Sequence, residues 1–225
     1  MKTVQERTEE IKKQEFERPE KKTKVEVRDQ DVIYTLLQSE KKTAVLNFAS
    51  AKNPGGGWLN GSQAQEEAIA RSTTMYASIK DVKEFYKNPK HYESGYYDND
   101  VIYSKDLKVF KNPKNARIKD EVSFDMITSC AVNVSALKNP EKEKVKEEMK
   151  KRIQNVFELA LRNGIEVLIL GAFGCGVFKN EPKEVAIIFK EVMSEERYKN
   201  KFDQIIFSIY GDKIMVNQFK TVEKI

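Results

Sequence analysis

Twice in this sequence an apolar run ends in a cluster of glycines and is followed by a helical pattern. The first run is Thr43-Ala-Val-Leu-Asn-Phe48, and the loop after it carries Asn53-Pro54, Gly55-Gly56-Gly57 and Asn60-Gly61. The second is Ile165-Glu-Val-Leu-Ile-Leu170, which enters Gly171-Ala-Phe-Gly174-Cys-Gly176-Val-Phe178 directly. A nearly continuous apolar run suits a parallel strand covered on both faces. Asn-Pro and consecutive glycines mark loops. Beyond the first loop, Ala68, Ile69, Met75 and Ile79 fit a helix that starts near Gln65. Beyond the second, Pro182 opens a helix whose face is Val185, Ile188, Phe189 and Val192. A chain made of such units predicts the α/β class, with helices on both faces of a mixed sheet. The two loops then lie at the carboxyl ends of neighbouring parallel strands, where open α/β sheets bind phosphorylated ligands.

Each glycine costs folding entropy, so three in a row need a reason. Without a Cβ the backbone takes positive φ, approaches a ligand closely and leaves N–H groups free for an anion. A helix start just beyond adds partial positive charge and unpaired donors. The loop is neither a dinucleotide GxGxxG nor a P-loop, since no Gly-Lys-Ser/Thr follows. Gln65-Glu66-Glu67 stands at the opening of the helix. Successive helical side chains fan out by about 100°. One carboxylate can therefore hold a ligand hydroxyl while its neighbour reaches a reacting atom. Two acids also stabilise a helix N-terminus through the dipole, and the residues alone leave both readings open.

The stretch NFASAKNPGGGWLNGSQAQEEAIARSTTMY resembles the signature of the bacterial-type poly(ADP-ribose) glycohydrolases, a branch of the macrodomain superfamily. That signature is Gly-Gly-Gly, a short spacer and Gln-Glu-Glu; here the spacer is residues 58–64. GAFGCGVF in turn resembles the macrodomain loop that wraps the diphosphate of ADP-ribose. The resemblance spans residues 43 to 210 and is densest in the two loops. It implies a macrodomain-like three-layer α/β/α sandwich. It also implies hydrolysis of ribose–ribose O-glycosidic bonds, releasing ADP-ribose. Glu67 is then the general acid and later the base, and Glu66 holds ribose hydroxyls. Asn47, Gly55, Gly56, Gly57 and Gln65 join the ADP-ribose site by the same resemblance. The backbone N–H groups of Gly174, Cys175, Gly176 and Val177 bind the diphosphate, Phe178 packs on the distal ribose, and Tyr210 stacks on adenine. No metal or other cofactor is implied. The substrate is poly(ADP-ribose) or an ADP-ribosylated macromolecule. The alternatives are a mono-ADP-ribosyl hydrolase acting on protein or nucleic acid, and a binding module without catalysis. Intact Glu66 and Glu67 argue against a pure binding module.

The 225 residues fit one domain, with residues 43–225 as the catalytic part and 1–42 as an extension packed on it. Within that extension an exposed helix is expected over residues 3–15, ended by Pro19, and an edge strand over residues 24–28. The net charge of +5 is what a lysine-rich solvated surface gives, and it would also help attract a polyanion. No nucleic-acid motif accompanies it. Two cysteines without CxxC, Cys130 and Cys175, and the single His91 do not make a usual zinc site. Cys175 reads as a small filler between glycines, since no base is evident beside it. With no signal peptide or membrane-length apolar run, and with two free thiols, the protein is expected in the cytoplasm.

The remaining elements follow from periodicity. A helix is expected over 31–38 and an irregular excursion over 79–100. Residues 101–104 and 107–110 suggest a hairpin turning at Lys105-Asp106, and 123–134 a strand that ends near Asn133. The helix over 140–162 has the stripe Val145, Met149, Ile153, Val156 and Ala160, and Gly164 stops it. A last strand spans 204–210, and a short amphipathic helix closes the chain from 214.

Overall fold

Alternate residues of a strand face opposite ways, and strand β3 (Thr43–Phe48) shows what that does here. Ala44 and Leu46 enter one apolar layer and Val45 enters the other. The computed structural model describes residues 2–6, 22–87 and 94–224. In chain order, β1 is Lys2–Glu6, β2 Lys24–Arg28, α1 Val32–Leu37, then β3. After it come α2 (Gln65–Ser72), α3 (Met75–Ile79), α4 (Lys83–Tyr86), β4 (Val101–Lys111) and β5 (Arg117–Ser129). The rest is α5 (Lys142–Arg162), β6 (Val167–Leu170), α6 (Pro182–Met193), β7 (Gln204–Ser208) and α7 (Lys213–Phe219).

The strands form one seven-stranded mixed sheet in the order β1-β4-β5-β3-β6-β7-β2. From β5 to β2 all pairings are parallel; β4 and β1 are antiparallel additions at one edge. Helices α5, α6 and α7 cover one face through residues such as Met149, Ile153, Phe189 and Phe219. Helices α1 to α4 cover the other through Ile33, Leu36, Ile69, Met75 and Phe85. The result is the three-layer α/β/α sandwich expected from the sequence. No helix among the described residues is long and apolar enough to cross a membrane.

Four local expectations are corrected. Residues 3–6, expected as the start of a helix, belong to strand β1, paired antiparallel with β4, Thr3 opposite Ser104. An open sheet edge offers a row of unpaired N–H and C=O groups, and that outweighs local helical preference. The rest of that expected helix, Pro19 and His91 lie outside the described residues. The helix expected from Gln65 through Ile79 is two helices. Thr73 is extended and bridges to Val109, its Oγ1 donates to Ile69 O at 2.8 Å, and Thr74 N donates to Lys108 O. Hydroxyl-to-backbone bonds of this kind compete with helix.

The hairpin expected at Lys105-Asp106 is a bulge within one long strand. Asp106 adopts φ 55° and its N–H donates to Asp125 Oδ1 at 2.9 Å. The chain reverses at residues 112–116 instead, where Asn112 Oδ1 accepts from Lys114 N and Ala116 N. Strand β5 stops at Ser129, so Asn133 lies beyond it in a loop. There its Nδ2 donates to the Tyr97 hydroxyl.

Candidate active site

Strands β3 and β6 run parallel and pair as far as Val45 and Ile169, after which β3 keeps only β5 beside it. Gln65, the first residue of α2, takes the vacated positions. Its Nε2 donates to Leu46 O at 2.7 Å and its Oε1 accepts from Phe48 N at 3.0 Å. The side-chain amide thus binds β3 as a neighbouring strand's peptide group would, and fixes where α2 begins. Gln65 lines the cleft, but both ends of its amide already hold the strand.

The next two residues are consequently delivered to the first glycine loop. Glu66 is 3% exposed. Its Oε2 accepts from Ser50 N at 2.7 Å, and its Oε1 from Gly55 N at 3.2 Å and Asn47 Nδ2 at 3.3 Å. Burial pushes its pKa up to about 8, with the neighbouring Glu67 adding to the rise; the donors from Ser50, Asn47 and Gly55 oppose it. Glu67 Oε1 accepts from Gly57 N at 2.9 Å and its Oε2 from Ala64 N at 3.0 Å. The Ala64 bond is the carboxylate half of a capping box. Helix capping and site placement are therefore done by one side chain.

The glycines explain themselves at one position above all. Gly56 has φ +64°, and a Cβ there would sit 2.2 Å from Glu67 Oε1 and 3.1 Å from Glu66 Oε2. A side chain at residue 56 and a closed glutamate pair cannot coexist. The expectation that this loop aims N–H groups at phosphate is corrected. Gly55 N bonds Glu66, Gly56 N bonds Asn53 O and Gly57 N bonds Glu67. A strand-end loop beside two buried carboxyl groups satisfies their oxygens first, because a buried polar group without a partner costs far more than a solvated N–H.

The second loop is built the other way. Cys175 N donates to Ala172 O at 3.1 Å, but the N–H groups of Gly174, Gly176, Val177 and Phe178 make no backbone hydrogen bond among the described residues. Asn180 clamps the loop from behind: its Nδ2 donates to Val132 O at 2.7 Å and Gly174 O at 3.0 Å. Gly174 has φ +74°, and a Cβ there would meet Ala131 Cβ at 2.5 Å, while one at Gly176 would meet open space. Cys175 is buried, and that burial pushes its thiol up to about 12. It is the filler between glycines that the sequence suggested.

Between the loops lies a cleft of about 310 Å³. Gly56, Gly57, Glu66 and Glu67 form one wall, and Gly174, Gly176, Val177 and Phe178 the other. An adjoining hollow of about 530 Å³ shares Phe48, Gln65 and Gly176 with it and reaches Tyr34 and Tyr210. Tyr210 is 75% exposed there. Asn47, Gly55 and Cys175 do not line the cleft. Asn47 is fully buried behind Glu66, so its part is to hold that carboxylate. Ser50, Phe173 and Asn180 were missed by the sequence reading. Ser50 acts through its backbone N–H and Asn180 from behind the loop, so neither side chain carries a local signal.

A mixed α/β/α sandwich with two glycine loops facing across one cleft, one of them holding an acid pair, is the arrangement of a macrodomain-type hydrolase. A family model described as the microbial-type poly(ADP-ribose) glycohydrolase catalytic domain matches residues 1–112. Solved structures agree. The poly(ADP-ribose) glycohydrolase of Thermomonospora curvata is 28% identical, with 98% of this chain and 85% of that chain covered and a TM-score of 0.92. The Deinococcus radiodurans glycohydrolase in complex with ADP-ribose is 30% identical, with 89% and 84% covered and a TM-score of 0.81. No curated protein matches the chain. The chain belongs to the microbial-type poly(ADP-ribose) glycohydrolase family.

Proposed function

We propose that the protein hydrolyses poly(ADP-ribose) at ribose–ribose O-glycosidic bonds and releases ADP-ribose. The observation that carries this reading is the pairing across one cleft: Glu66 and Glu67 on one wall, and on the other a loop whose N–H groups at 174 and 176–178 have no backbone partner among the described residues. A diphosphate matches those donors. With the diphosphate on the second loop, the distal ribose reaches the glutamates.

Cleavage of a glycosidic bond passes through an oxocarbenium-like transition state. Glu67, as the general acid, gives a proton to the leaving ribose oxygen as the C–O bond breaks. The resulting carboxylate takes a proton from the incoming water, whose oxygen bonds the anomeric carbon. Gly57 N and Ala64 N hold that side chain in place throughout. Glu66 hydrogen-bonds ribose hydroxyls and orients the ring, with Asn47 and Gln65 fixing the frame behind it. Phe178 packs on the distal ribose, and Tyr210 in the adjoining hollow faces adenine. Both cysteines are free and buried, which fits a reducing, cytoplasmic setting.

The test is product analysis by mass spectrometry on purified poly(ADP-ribose) and on a mono-ADP-ribosylated protein. ADP-ribose is expected from the polymer. Release from the mono-modified protein alone would move the activity to that linkage, and release from neither, with ADP-ribose still bound, would make the protein a binding module.

A further inference from the structure

Helix α5 lays Met149, Ile153, Val156 and Ala160 into the core, and Arg152 is as deeply buried as they are, at 0% exposure. Removing a guanidinium from water costs several kcal/mol. The carboxylate of Glu148 forms only a loose ion pair with Arg152, Oε2 lying 3.8 Å from Nη1. The closer partners of Arg152 are carbonyls. Nη1 donates to Glu148 O at 3.0 Å; Nη2 donates to the carbonyls of Tyr96, Tyr97 (3.4 Å) and Asp98 (3.2 Å). Burial pulls its pKa down to about 10, so it stays cationic at neutral pH.

Three of those carbonyls belong to residues 96–98, a stretch without regular structure. In it Tyr97 takes φ 55°, an outlying conformation for a bulky side chain. Surroundings must hold such a residue there, and Arg152 supplies the hold. The Tyr97 ring then packs edge-on against Phe178 with centroids 5.9 Å apart, and its hydroxyl accepts from Asn133 Nδ2 at 2.9 Å. Phe178 is a wall of the cleft.

We infer that Arg152 is a positioning residue for the cleft: it fixes the carbonyls of residues 96–98 so that Tyr97 braces Phe178 against the ligand. The effect on ligand rests on the proposed ADP-ribose reading; the brace itself does not. Arg152 touches no substrate and acts only through Tyr97 and Phe178.

Arg152→Lys keeps the charge and loses the fork that reaches several carbonyls. By calorimetry it is expected to weaken ADP-ribose binding about tenfold, while kcat on the polymer changes less than about twofold. Tyr97→Ala, at a half-buried position, repeats the loss if the lysine variant folds poorly. In a Phe178→Ala background both effects shrink to within about twofold, because the coupled residue is gone. Unchanged affinity in both variants overturns the inference, as does a full effect that persists without Phe178. A wild-type protein that binds no ADP-ribose overturns the proposed activity instead. The brace is then decided by the ring resonances of labelled Phe178 in ligand-free protein: they shift in Arg152→Lys if the inference holds and stay put if it fails.

Discussion

The two glycine loops follow parallel strands, precede helices and look alike in sequence, yet they do opposite work. In the first, all three glycine N–H groups bond to the protein itself, two of them to Glu66 and Glu67. In the second, the N–H groups of Gly174, Gly176, Val177 and Phe178 have no backbone partner among the described residues. One loop organises the acid pair before any ligand arrives; the other, in the proposed reading, offers its donors to a ligand. The same local chemistry leaves donors bonded within the protein in one place and without a backbone partner in the other, and what separates them is whether a buried carboxylate lies within reach.

The sharpest way to break this comparison is Glu67→Gln. It keeps the shape and hydrogen-bond acceptor but removes the proton. Turnover should fall at least about a thousandfold while ADP-ribose affinity by calorimetry stays within a factor of about three. A parallel loss of affinity, with normal folding, would move Glu67 into ligand binding. Gly56→Ala comes next. Its Cβ lands on Glu67 Oε1 and its φ is positive, so turnover should drop about a hundredfold, with a stability cost of about 1 kcal/mol or more. Near-wild-type turnover would mean the glutamate pair does not need this packing.

Glu66 gives a pH signature. Its folded pKa stands at about 8 against an ordinary 4.5, so the folded state holds a proton that the unfolded chain releases. Its contribution to stability is complete below pH 4.5 and is lost as pH rises through about 8. Against Glu66→Gln, the wild type should lose up to about 1.4 kcal/mol per pH unit across that window. Denaturant titrations of both proteins measure the difference, and a pH-independent gap would show that the three donors, rather than desolvation, set the titration. The smallest effect concerns the second loop. With its thiol pushed up to about 12, Cys175 should react with iodoacetamide near neutral pH at less than about a tenth of the rate of free cysteine. Fast, selective labelling would show a loop more open than its packing.

Much of the fold was legible. Strand β3 begins and ends where its apolar run does, and α6 starts at the proline that marks it. Those signals are local: side-chain periodicity and backbone chemistry act within a few residues. The hairpin at Lys105-Asp106 was misread because a bulge and a turn use the same residues, and only the partner strand, through Asp125, distinguishes them. Several of the expected site residues line one cleft, but the contacts each of them makes were not legible. Asn47 was expected at the ligand and is buried behind Glu66, while Asn180 went unnoticed although it clamps the second loop.

By itself the sequence determined where β3 and α6 begin, which runs are buried and that two acids open a helix beyond three glycines. The tertiary structure decided which donor each carboxylate meets, that β1 joins the sheet edge, and that a core stripe of α5 carries a buried Arg152. The physical reason is range. Propensity and periodicity are properties of neighbours in the chain, whereas a hydrogen bond between Arg152 and residues 96–98 exists only once the sheet has brought them together.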